Sequence, residues 1–398
     1  MHTGHRKDQL VSVVSVAALL TLALPAAAQN GGIVTWGSNE WGQLNVPPPN
    51  EDFVALAAGT DFGLGLRVDG SITAWGHNFY GQCNVPTPNE NFSAVAAGAF
   101  HSLGLKTTGE IVAWGGNDDG QCNVPGPNQD FIAIAAGTYH GLGLKSTGEI
   151  VAWGHNYYGQ CNVPAPNADF VAVAAGYYHS LGLKSTGEIV AWGYNSYGQC
   201  NVPGPNDDFI DLDGGQYHSL GLKSTGDIVA WGSNSYGQCN VPAPNADFVA
   251  VGSGWKHGMG VKATGEIVAW GDNLSGQCSV PPPNTGFVDV AGGAVFSMGL
   301  LKRTPPTGAC CINQHCLTGT EANCLGAGGT YQGDGTDCGT IDCSCVGDLN
   351  GDGARDQSDL GLLLASYEVD DGGDLNDDGF TDQADLGLLL AVYETPCP

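Results

Sequence analysis

Residues 170–208 read FVAVAAGYYHSLGLKSTGEIVAWGYNSYGQCNVPGPNDD, and this stretch decides the fold because it is one unit of a repeat. Tryptophan followed by glycine recurs every 39 residues without insertion, at Trp36, Trp75, Trp114, Trp153, Trp192, Trp231 and Trp270. A phenylalanine that opens a strand-like run recurs in the same register, at Phe53, Phe92, Phe131, Phe170, Phe209, Phe248 and Phe287. A fixed period of this length is typical of solenoids and propellers. Both series have seven members, which predicts seven units.

Three short runs within this unit have the composition of strands, at residues 170–176, 179–184 and 188–192. Ser185-Thr-Gly187 predicts a hairpin turn between the last two, because glycine takes a positive φ without strain. The connector that begins at Gly198 contains prolines, which a central strand excludes. Alanine and glycine crowd the strands, which suits sheets packed tightly around an axis.

The phase of the repeat predicts how the ring closes. The series begins with a lone third strand at residues 33–37 and ends with a lone first and second strand at residues 287–302. Pairing these pieces removes exposed sheet edges and joins the two ends of the domain, whereas a solenoid needs separate caps. We therefore predict an all-β, seven-bladed β-propeller of 39-residue, three-stranded repeats over residues 29–303.

Units such as Ala174-Ala-Gly-Tyr-Tyr-His-Ser-Leu-Gly-Leu-Lys184 and Val190-Ala-Trp-Gly193 resemble the RCC1-like propellers. The 39-residue unit is shorter than that of the chromatin-associated founder and is similar to the compact blades of the secreted β-lactamase inhibitor protein II. That second likeness implies β-lactamase inhibition as one alternative function. The founder's nucleotide exchange on a small GTPase is a poor expectation, because an export signal and an acidic surface both oppose it.

Two residue types recur in register within the repeat. Five units have a histidine at the start of the second strand: His101, His140, His179, His218 and His257. These histidines could be metal ligands arranged in a circle, or their flat imidazole groups could pack in the core. Phe62 and Phe296 occupy the same position in the other two units, which favours packing. Six cysteines recur in the connector, with Leu44 in their place in the first unit, and we expect free thiols at a small buried apolar site rather than bridges between blades.

Two short segments vary among otherwise similar units, one after Trp-Gly and one after Ala-Gly, and both are rich in aromatic residues. Aromatic residues repeated round a ring can form a contact surface, although stacking on neighbouring blades is the alternative. The predicted partner-binding residues of the propeller are Trp41, Phe79, Tyr80, Tyr157, Tyr158, Tyr177, Tyr197, Tyr236 and Trp255.

The N-terminal residues 1–28 have the pattern of a secretory signal peptide, with Arg6 and Lys7, an apolar run from Leu10 to Leu24, and small residues before Gln29. The run is short for a bilayer span, so we expect a secreted, extracellular chain with no integral membrane segment once processed. The formal net charge of −28 repels phosphate backbones and anionic membranes, which excludes nucleic acid as a partner.

Residues 304–307 are a predicted linker and residues 308–345 a predicted cysteine-rich module. Its cysteines, with one further partner near the C-terminus, are Cys310, Cys311, Cys316, Cys324, Cys338, Cys343, Cys345 and Cys397. A segment with few large apolar residues needs staples, so we predict disulfides whose pairing the sequence leaves open. Zinc is the competing use, but paired C-x-x-C knuckles are missing from the sequence.

Residues 346–398 contain two calcium-type loops, 348–359 and 374–385, each followed by leucines at helical spacing. Oxygen ligands fall at loop positions 1, 3, 5, 9 and 12, glycine makes the turn at 6, and position 7 supplies a carbonyl. The predicted ligands of two Ca²⁺ ions are Asp348, Asn350, Asp352, Ala354, Asp356, Asp359, Asp374, Asn376, Asp378, Phe380, Asp382 and Asp385.

These loop-then-helix units, 26 residues apart with aspartate at position 12, look like dockerin, the small α-helical module that attaches secreted proteins to cohesin domains. The resemblance implies that a partner would contact Gln357, Ser358, Ala365, Ser366, Gln383, Ala384, Ala391 and Val392. The hydroxyl and basic residues that many dockerins carry there are largely replaced in this chain. A calcium-stapled stability module is the alternative.

No catalytic motif stands out in the sequence, which lacks Gly-x-Ser-x-Gly, His-Glu-x-x-His and a phosphate-cradling glycine loop. We therefore predict a secreted, non-catalytic binding protein. Its propeller would bind a protein partner, and its tail would give calcium-dependent attachment to a cohesin-type domain. The alternatives are a carbohydrate-active enzyme or polysaccharide-binding component of an extracellular complex, and a β-lactamase inhibitor.

Overall fold

The structure is a computed structural model that describes residues 31–303, 307–312, 315–320, 324 and 330–331. It divides the chain into two compact units, Met1–Thr304 and Pro305–Pro398. The predicted signal peptide, the calcium ligands and the tail contacts all lie outside the described residues. They remain predictions.

Seven three-stranded antiparallel sheets form the blades of the first unit. The inner strands are β2 (Phe53–Ala58), β5 (Phe92–Ala97), β8 (Phe131–Ala136), β11 (Phe170–Ala175), β14 (Phe209–Gly214), β17 (Phe248–Ser253) and β20 (Phe287–Gly292). The middle strands are β3 (Phe62–Arg67), β6 (His101–Lys106), β9 (His140–Lys145), β12 (His179–Lys184), β15 (His218–Lys223), β18 (His257–Lys262) and β21 (Phe296–Leu301). The outer strands are β1 (Ile33–Gly37), β4 (Ile72–Gly76), β7 (Ile111–Gly115), β10 (Ile150–Gly154), β13 (Ile189–Gly193), β16 (Ile228–Gly232) and β19 (Ile267–Gly271).

The blades close into a ring around a channel lined by all seven inner strands. Neighbouring inner strands contact one another from β2 and β5 round to β17 and β20, and the ring returns through β20 and β2. Blade 1 is β2–β4, and the numbering runs round to blade 6, β17–β19; blade 7 joins β20 and β21 to β1. In blade 7, β1 pairs antiparallel with β21, from Ile33 opposite Leu300 to Gly37 opposite Phe296. The predicted all-β, three-stranded blades and the ring closure are therefore confirmed.

The core lies between blades, where the recurrent aromatic residues pack. Phe209 of blade 5 packs with Ile189 of blade 4 and Trp231 of its own blade in one cluster, and each of the three is at most 5% exposed. Every repeat tryptophan also donates its indole N–H to a glutamine carbonyl of the preceding connector, as Trp192 does to Gln160 at 2.8 Å. Burial and a satisfied N–H explain why this tryptophan recurs in all seven units.

The recurrent histidines pack as flat rings between blades and are 0% exposed, which confirms the packing interpretation. His140, His179 and His257 each form a hydrogen bond through Nε2 with a serine hydroxyl of the next blade, Ser180, Ser219 and Ser297, at 2.8–2.9 Å. His101 and His218 face Gly141 and Gly258 at that position, and their ring nitrogens have no partner. Burial lowers the pKa of all five, to about 3 or 4, so the rings are neutral near pH 7.

We expect Ser180→Ala to destabilise the propeller more than Ser102→Ala. Ser180 bonds both His140 and the Gln160 carbonyl, whereas Ser102 donates to the Gln82 carbonyl and the preceding blade has Phe62 in place of the histidine. The extra lost bond leaves a buried imidazole nitrogen unpaired, which costs about 1–3 kcal/mol. Urea unfolding of the two variants measures the difference, and equal midpoints would contradict the role assigned to the histidine bond.

The six repeat cysteines are free, as predicted, but their surroundings differ from the prediction of a buried apolar site. Each is partly exposed, and its thiol lies against a backbone carbonyl, as Cys83 Sγ does with the His77 oxygen at 3.3 Å. Burial raises the pKa of these thiols to about 11 or 12. At neutral pH they are protonated and poor nucleophiles.

The second unit contains a small antiparallel sheet that the sequence did not predict. Its strands are β22 (Thr307–Ile312), β23 (His315–Thr320) and β24 (Thr330–Tyr331), in the order β23-β22-β24. Cys324 is buried and disulfide-bonded. Within the described residues, no helix has the length and apolarity needed to cross a membrane.

Candidate interaction surface

Two sets of loops meet at one end of the propeller. The outer loops follow the outer strands, and the inner loops connect inner to middle strands. Within a blade the two are joined by backbone hydrogen bonds, since Tyr194 N–H donates to the Tyr178 carbonyl at 2.8 Å and His155 N–H to the Tyr139 carbonyl at 2.9 Å. The two variable segments of the sequence therefore form a single surface in each of these blades.

Side chains inside each outer loop hold its backbone in place. In the loop after β10, Gln160 Oε1 accepts from the Tyr158 N–H at 3.1 Å, and Asn156 Oδ1 accepts from the Cys161 N–H at 2.9 Å. Gly159 takes a φ of +80°, which makes the tight turn between them. The same glutamine and asparagine bonds recur in the other outer loops, so the aromatic residues stand on preordered backbone.

Seven of the nine predicted contact residues are exposed. Phe79 and Tyr157 are each 82% exposed and protrude furthest, and the other exposed members are Trp41, Tyr80, Tyr158, Tyr197 and Tyr236, at 40–54%. Tyr177 and Trp255 lie on the inner loops and are partly buried. These two line the mouth of the central channel, and their ring centroids are 5.7 Å apart.

The rings form a connected network, which we call the aromatic arc. Successive ring centroids within it lie 4.4–6.5 Å apart, the range of favourable edge and offset contacts. Its members are Trp41, His77, Phe79, Tyr80, Phe100, Tyr139, His155, Tyr157, Tyr158, Tyr177, Tyr178, Tyr194, Tyr197, Tyr217 and Trp255. The rings stack across blades, as one sequence-based alternative predicts, and many of them also remain exposed.

Seven of the fifteen rings of the arc are absent from the contact residues predicted from the sequence. Phe100, Tyr139, Tyr178 and Tyr217 occupy the second inner-loop position. Phe100, Tyr178 and Tyr217 pack against the more exposed outer-loop rings Tyr80, Tyr158 and Tyr197. Tyr139 instead contacts His155 and the neighbouring inner-loop rings. Tyr194, His77 and His155 directly follow Trp-Gly. Their repeat register was the available signal. The structure brings the two positions together within a blade, as for His155 and Tyr139, and across neighbouring blades, as for His155 and Tyr178.

Burial raises the pKa of three phenols of the arc. It is the main cause that raises the pKa of Tyr139 to about 12, and it raises the pKa of Tyr178 and Tyr217 as well. Their neighbouring tyrosines add to the shift. These hydroxyls are therefore hydrogen-bond donors and acceptors at any physiological pH.

The repeat and the fold of this propeller occur in known proteins. A family model described as the regulator of chromosome condensation (RCC1) repeat matches residues 53–82, 92–121, 131–160, 170–199, 209–238 and 248–277. The crystal structure of Prp20p from Saccharomyces cerevisiae aligns with a TM-score of 0.59 at 18% identity, over 70% of this chain and 93% of that one. The domain is an RCC1-like β-propeller.

Two other solved structures share this fold. Human WBSCR16 aligns with a TM-score of 0.56 at 18% identity, over 69% of this chain and 99% of that one. The ectodomain of the Physcomitrella patens receptor kinase CR4 gives a TM-score of 0.51 at 24% identity, over 61% of this chain and 72% of that one. Identities at this level show the fold alone. No curated protein matches the sequence.

The aromatic end of the RCC1-like propeller is acidic. Its loops carry exposed Glu40, Asp118 and Asp119 and partly buried Asp61 and Asp272. Lys256 is the one lysine in the inner and outer loops of the described propeller, and its ammonium group lies 4.4 Å from the Tyr236 ring centroid.

The other cations of the blades lie at the opposite end. Each is the last residue of a middle strand, and its cationic group lies 3.6–4.3 Å from the ring centroid of the phenylalanine that begins the inner strand. These residues are Arg67, Lys106, Lys145, Lys184, Lys223 and Lys262. Most of them also donate to carbonyl oxygens of the connectors, as Lys184 does to Pro166 at 3.1 Å. Carboxylates outnumber cations at both ends, but at the aromatic end a single lysine accompanies them.

The central channel has a volume of about 280 Å³ and is lined mainly by alanine and glycine. Blades 5 and 7 depart from this pattern, with Asp211 and Asp213 in β14 and Asp289 in β20. Burial raises the pKa of Asp211 to about 7 and of Asp213 to about 6, while the main-chain N–H groups around them partly oppose the shift. Asp213 Oδ2 accepts from the Ser253 N–H at 2.7 Å and from its hydroxyl at 3.0 Å. In the part of the chain that the structure describes, no group of three His, Cys, Asp or Glu residues is placed to hold a metal ion.

Proposed function

We propose that this chain is a secreted, non-catalytic binding protein whose propeller binds a macromolecular partner through the aromatic arc. The observation that carries the proposal is the continuous array of partly and highly exposed rings on preordered loops. Rings of this kind supply large contact areas at low conformational cost and dominate protein interfaces. An RCC1-like propeller is typically a binding or regulatory protein, which supports the same conclusion.

We further propose that the tail, residues 346–398, attaches the chain to a cohesin-type partner when calcium is bound. The support is the sequence alone: two loops with oxygen ligands at every expected position, and aspartate at position 12 of each. In this proposal the propeller selects a target and the tail fixes its location outside the cell. The two activities are separable by experiment because they use different residues.

We expect the immobilised full chain to capture two distinct sets of proteins from the culture medium of its source. The double variant Phe79→Ala, Tyr157→Ala should lose the set held by the arc, because each hot-spot ring contributes about 2 kcal/mol or more to an interface. Chelation with EDTA, or Asp348→Ala with Asp374→Ala, should lose the set held by the tail. Leu274→Ala, in an outer loop beyond the arc and 90% exposed, is the control for removing an exposed apolar side chain.

Capture that is unchanged in the arc double variant would remove the propeller half of the proposal. Turnover of a polysaccharide by the purified chain would replace binding with catalysis. Capture that is insensitive to EDTA would leave the tail as a stability module.

A further inference from the structure

The aromatic arc is interrupted by charge at one position. The two residues before the recurrent Gly-Gln of each outer loop lie at its tip. In six of the seven loops at least one of the two is aromatic or apolar, but the loop after β7 has Asp118 and Asp119 there. Both side chains are exposed, between blades whose loops present Phe79 with Tyr80 and Tyr157 with Tyr158. Asp119 also lies near the Tyr139 hydroxyl, whose pKa its charge helps to raise. Two carboxylates therefore stand inside the aromatic surface rather than at its edge.

The other charges of this end have the same sign. Glu40 is exposed beside Trp41, and the carboxylates of Asp61 and Asp272 add to the acidic side of the loops. The single cation, Lys256, is already occupied, since it lies over the Tyr236 ring and donates to its hydroxyl at 3.3 Å. Residues 31–303 as a whole contain 22 acidic and nine basic residues, so the wider field reinforces the local one.

Aromatic faces and carboxylates attract the same kind of ligand. The face of a tyrosine or tryptophan ring attracts a cation, and a carboxylate accepts a paired hydrogen bond from a guanidinium group. Arginine satisfies both at once, because its planar group stacks on rings and forms the fork that carboxylates match. An acidic or phosphorylated partner would meet uncompensated like charge at this surface.

We propose that the aromatic arc binds a basic, arginine-bearing segment of a partner protein. This inference rests on the function proposed above. Phe79 and Tyr157 stack on the cationic side chains, and Asp118 and Asp119 pair with them. The partly buried rings Phe100 and Tyr178 pack against Tyr80 and Tyr158, which in turn contact Phe79 and Tyr157 and hold them in place.

The test measures the binding of three soluble probes to the full chain at physiological ionic strength. The two peptides carry a fluorescent label. The first is a peptide of about 12 residues in which arginine and glycine alternate. An extended chain rises about 3.3 Å per residue, so this peptide spans several loops. The second is the same peptide with citrulline, a neutral analogue, in place of arginine. The third is cellohexaose, a neutral glycan that would also stack on aromatic rings. Fluorescence anisotropy and calorimetry measure the dissociation constants.

We expect the arginine peptide to bind and the citrulline peptide and cellohexaose to bind at least about tenfold more weakly. Asp118→Asn with Asp119→Asn should weaken the arginine peptide about fivefold or more. Phe79→Ala with Tyr157→Ala should weaken it about tenfold, because both the stacking and the cation–ring contacts are lost.

The matched control removes two charges elsewhere. Glu110 and Glu188 are exposed at the opposite end of the blades, just before β7 and β13. Glu110→Gln with Glu188→Gln changes the net charge as much as the aspartate pair does, and we expect a change below about twofold. Equal weakening by the two pairs would mean non-specific attraction and would overturn the proposal, as would the absence of arginine-peptide binding.

Arc-dependent binding of cellohexaose without the arginine peptide would overturn the basic-partner inference while leaving the arc as a binding surface. Capture of an acidic protein lost in the Phe79, Tyr157 variant would do the same. Failure of the proposed function itself would appear differently, as capture that the same variant leaves unchanged. Thermal unfolding of each variant guards against loss of the fold.

Discussion

Lowering the pH from 7 to 5 is expected to destabilise the propeller strongly. The five inter-blade histidines have folded-state pKa values of about 3 or 4, against an ordinary value of 6.5. Because the folded pKa is depressed, the unfolded chain binds more protons below pH 6.5, and stability falls as the pH drops towards the folded pKa. Each ring then contributes a loss of about 1.4 kcal/mol per pH unit, or about 2 kcal/mol by pH 5.

The channel carboxylates act in the opposite sense. Asp211 and Asp213 have raised pKa values, about 7 and 6, so they take up protons in the folded state first and stabilise it as the pH falls from 7 towards 4. Two such groups offset only part of the effect of five histidines. Asp211→Ala, which restores the residue found in β11 and β17, should raise stability at pH 7 and steepen the acid loss.

The repeat supplies its own test of the histidine argument. His101→Phe with His218→Phe should raise stability at pH 5 by about 2 kcal/mol for each ring, with little change at pH 8. Phenylalanine already occupies this position in β3 and β21, and neither His101 nor His218 has a hydrogen-bond partner to lose. Urea unfolding, followed by tryptophan fluorescence from pH 8 to pH 4.5, measures both the stability and its slope.

His179→Phe is the matched control, since it removes the same titration together with the bond to Ser219. It should show the same change of slope but a loss of about 1 kcal/mol at pH 8. An unaltered pH dependence in the His101, His218 variant would show that these rings are solvated and would sink the explanation.

A chain that starts at Ser38 should fail to form a stable propeller, whereas one that starts at Gly31 should fold. Removing β1 strips blade 7 of its outer strand, including Ile33 and Trp36, which are 2% and 5% exposed. The indole bond from Trp36 to the Gln277 carbonyl and the whole ladder to β21 are lost with it. Each large side chain contributes about 1.5–3 kcal/mol on burial, so the total approaches the 5–15 kcal/mol stability of a whole domain.

Circular dichroism melting and size-exclusion chromatography would follow the truncated chain. The missing strand leaves β21 as an open edge, so self-association should accompany the loss of stability. Addition of a synthetic peptide of residues 31–50 should restore part of the melting temperature. Nearly equal melting temperatures for the two chains would mean that ring closure contributes little.

The blade number, the strand order and the ring closure were predictable from the sequence. The period is uniform, so a pattern seen in one unit can be checked in every other unit. For the unit at residues 170–208 the sequence predicts the second strand at residues 179–184, where β12 lies, and the third strand one residue before β13. The bulge between Phe170 and Ala172 was missed, since a register shift within a pair depends on the partner strand. The calcium loops and the cysteine pairing remain predictions.

The sequence by itself determined that phenylalanine and tryptophan would recur in seven units and histidine in five, because burial and spacing are properties of each unit. Only the tertiary structure decided which loops meet. The ring brings the outer loop of one blade against the inner loop of the next, which joins Tyr80 to Phe100 and Tyr158 to Tyr178. Contacts between units depend on the angle by which each blade is rotated from the next about the propeller axis. No single residue of the repeat sets that angle. For this reason the aromatic residues could be read as variable loops from the sequence, while the continuous arc and its internal carboxylates emerged from the fold.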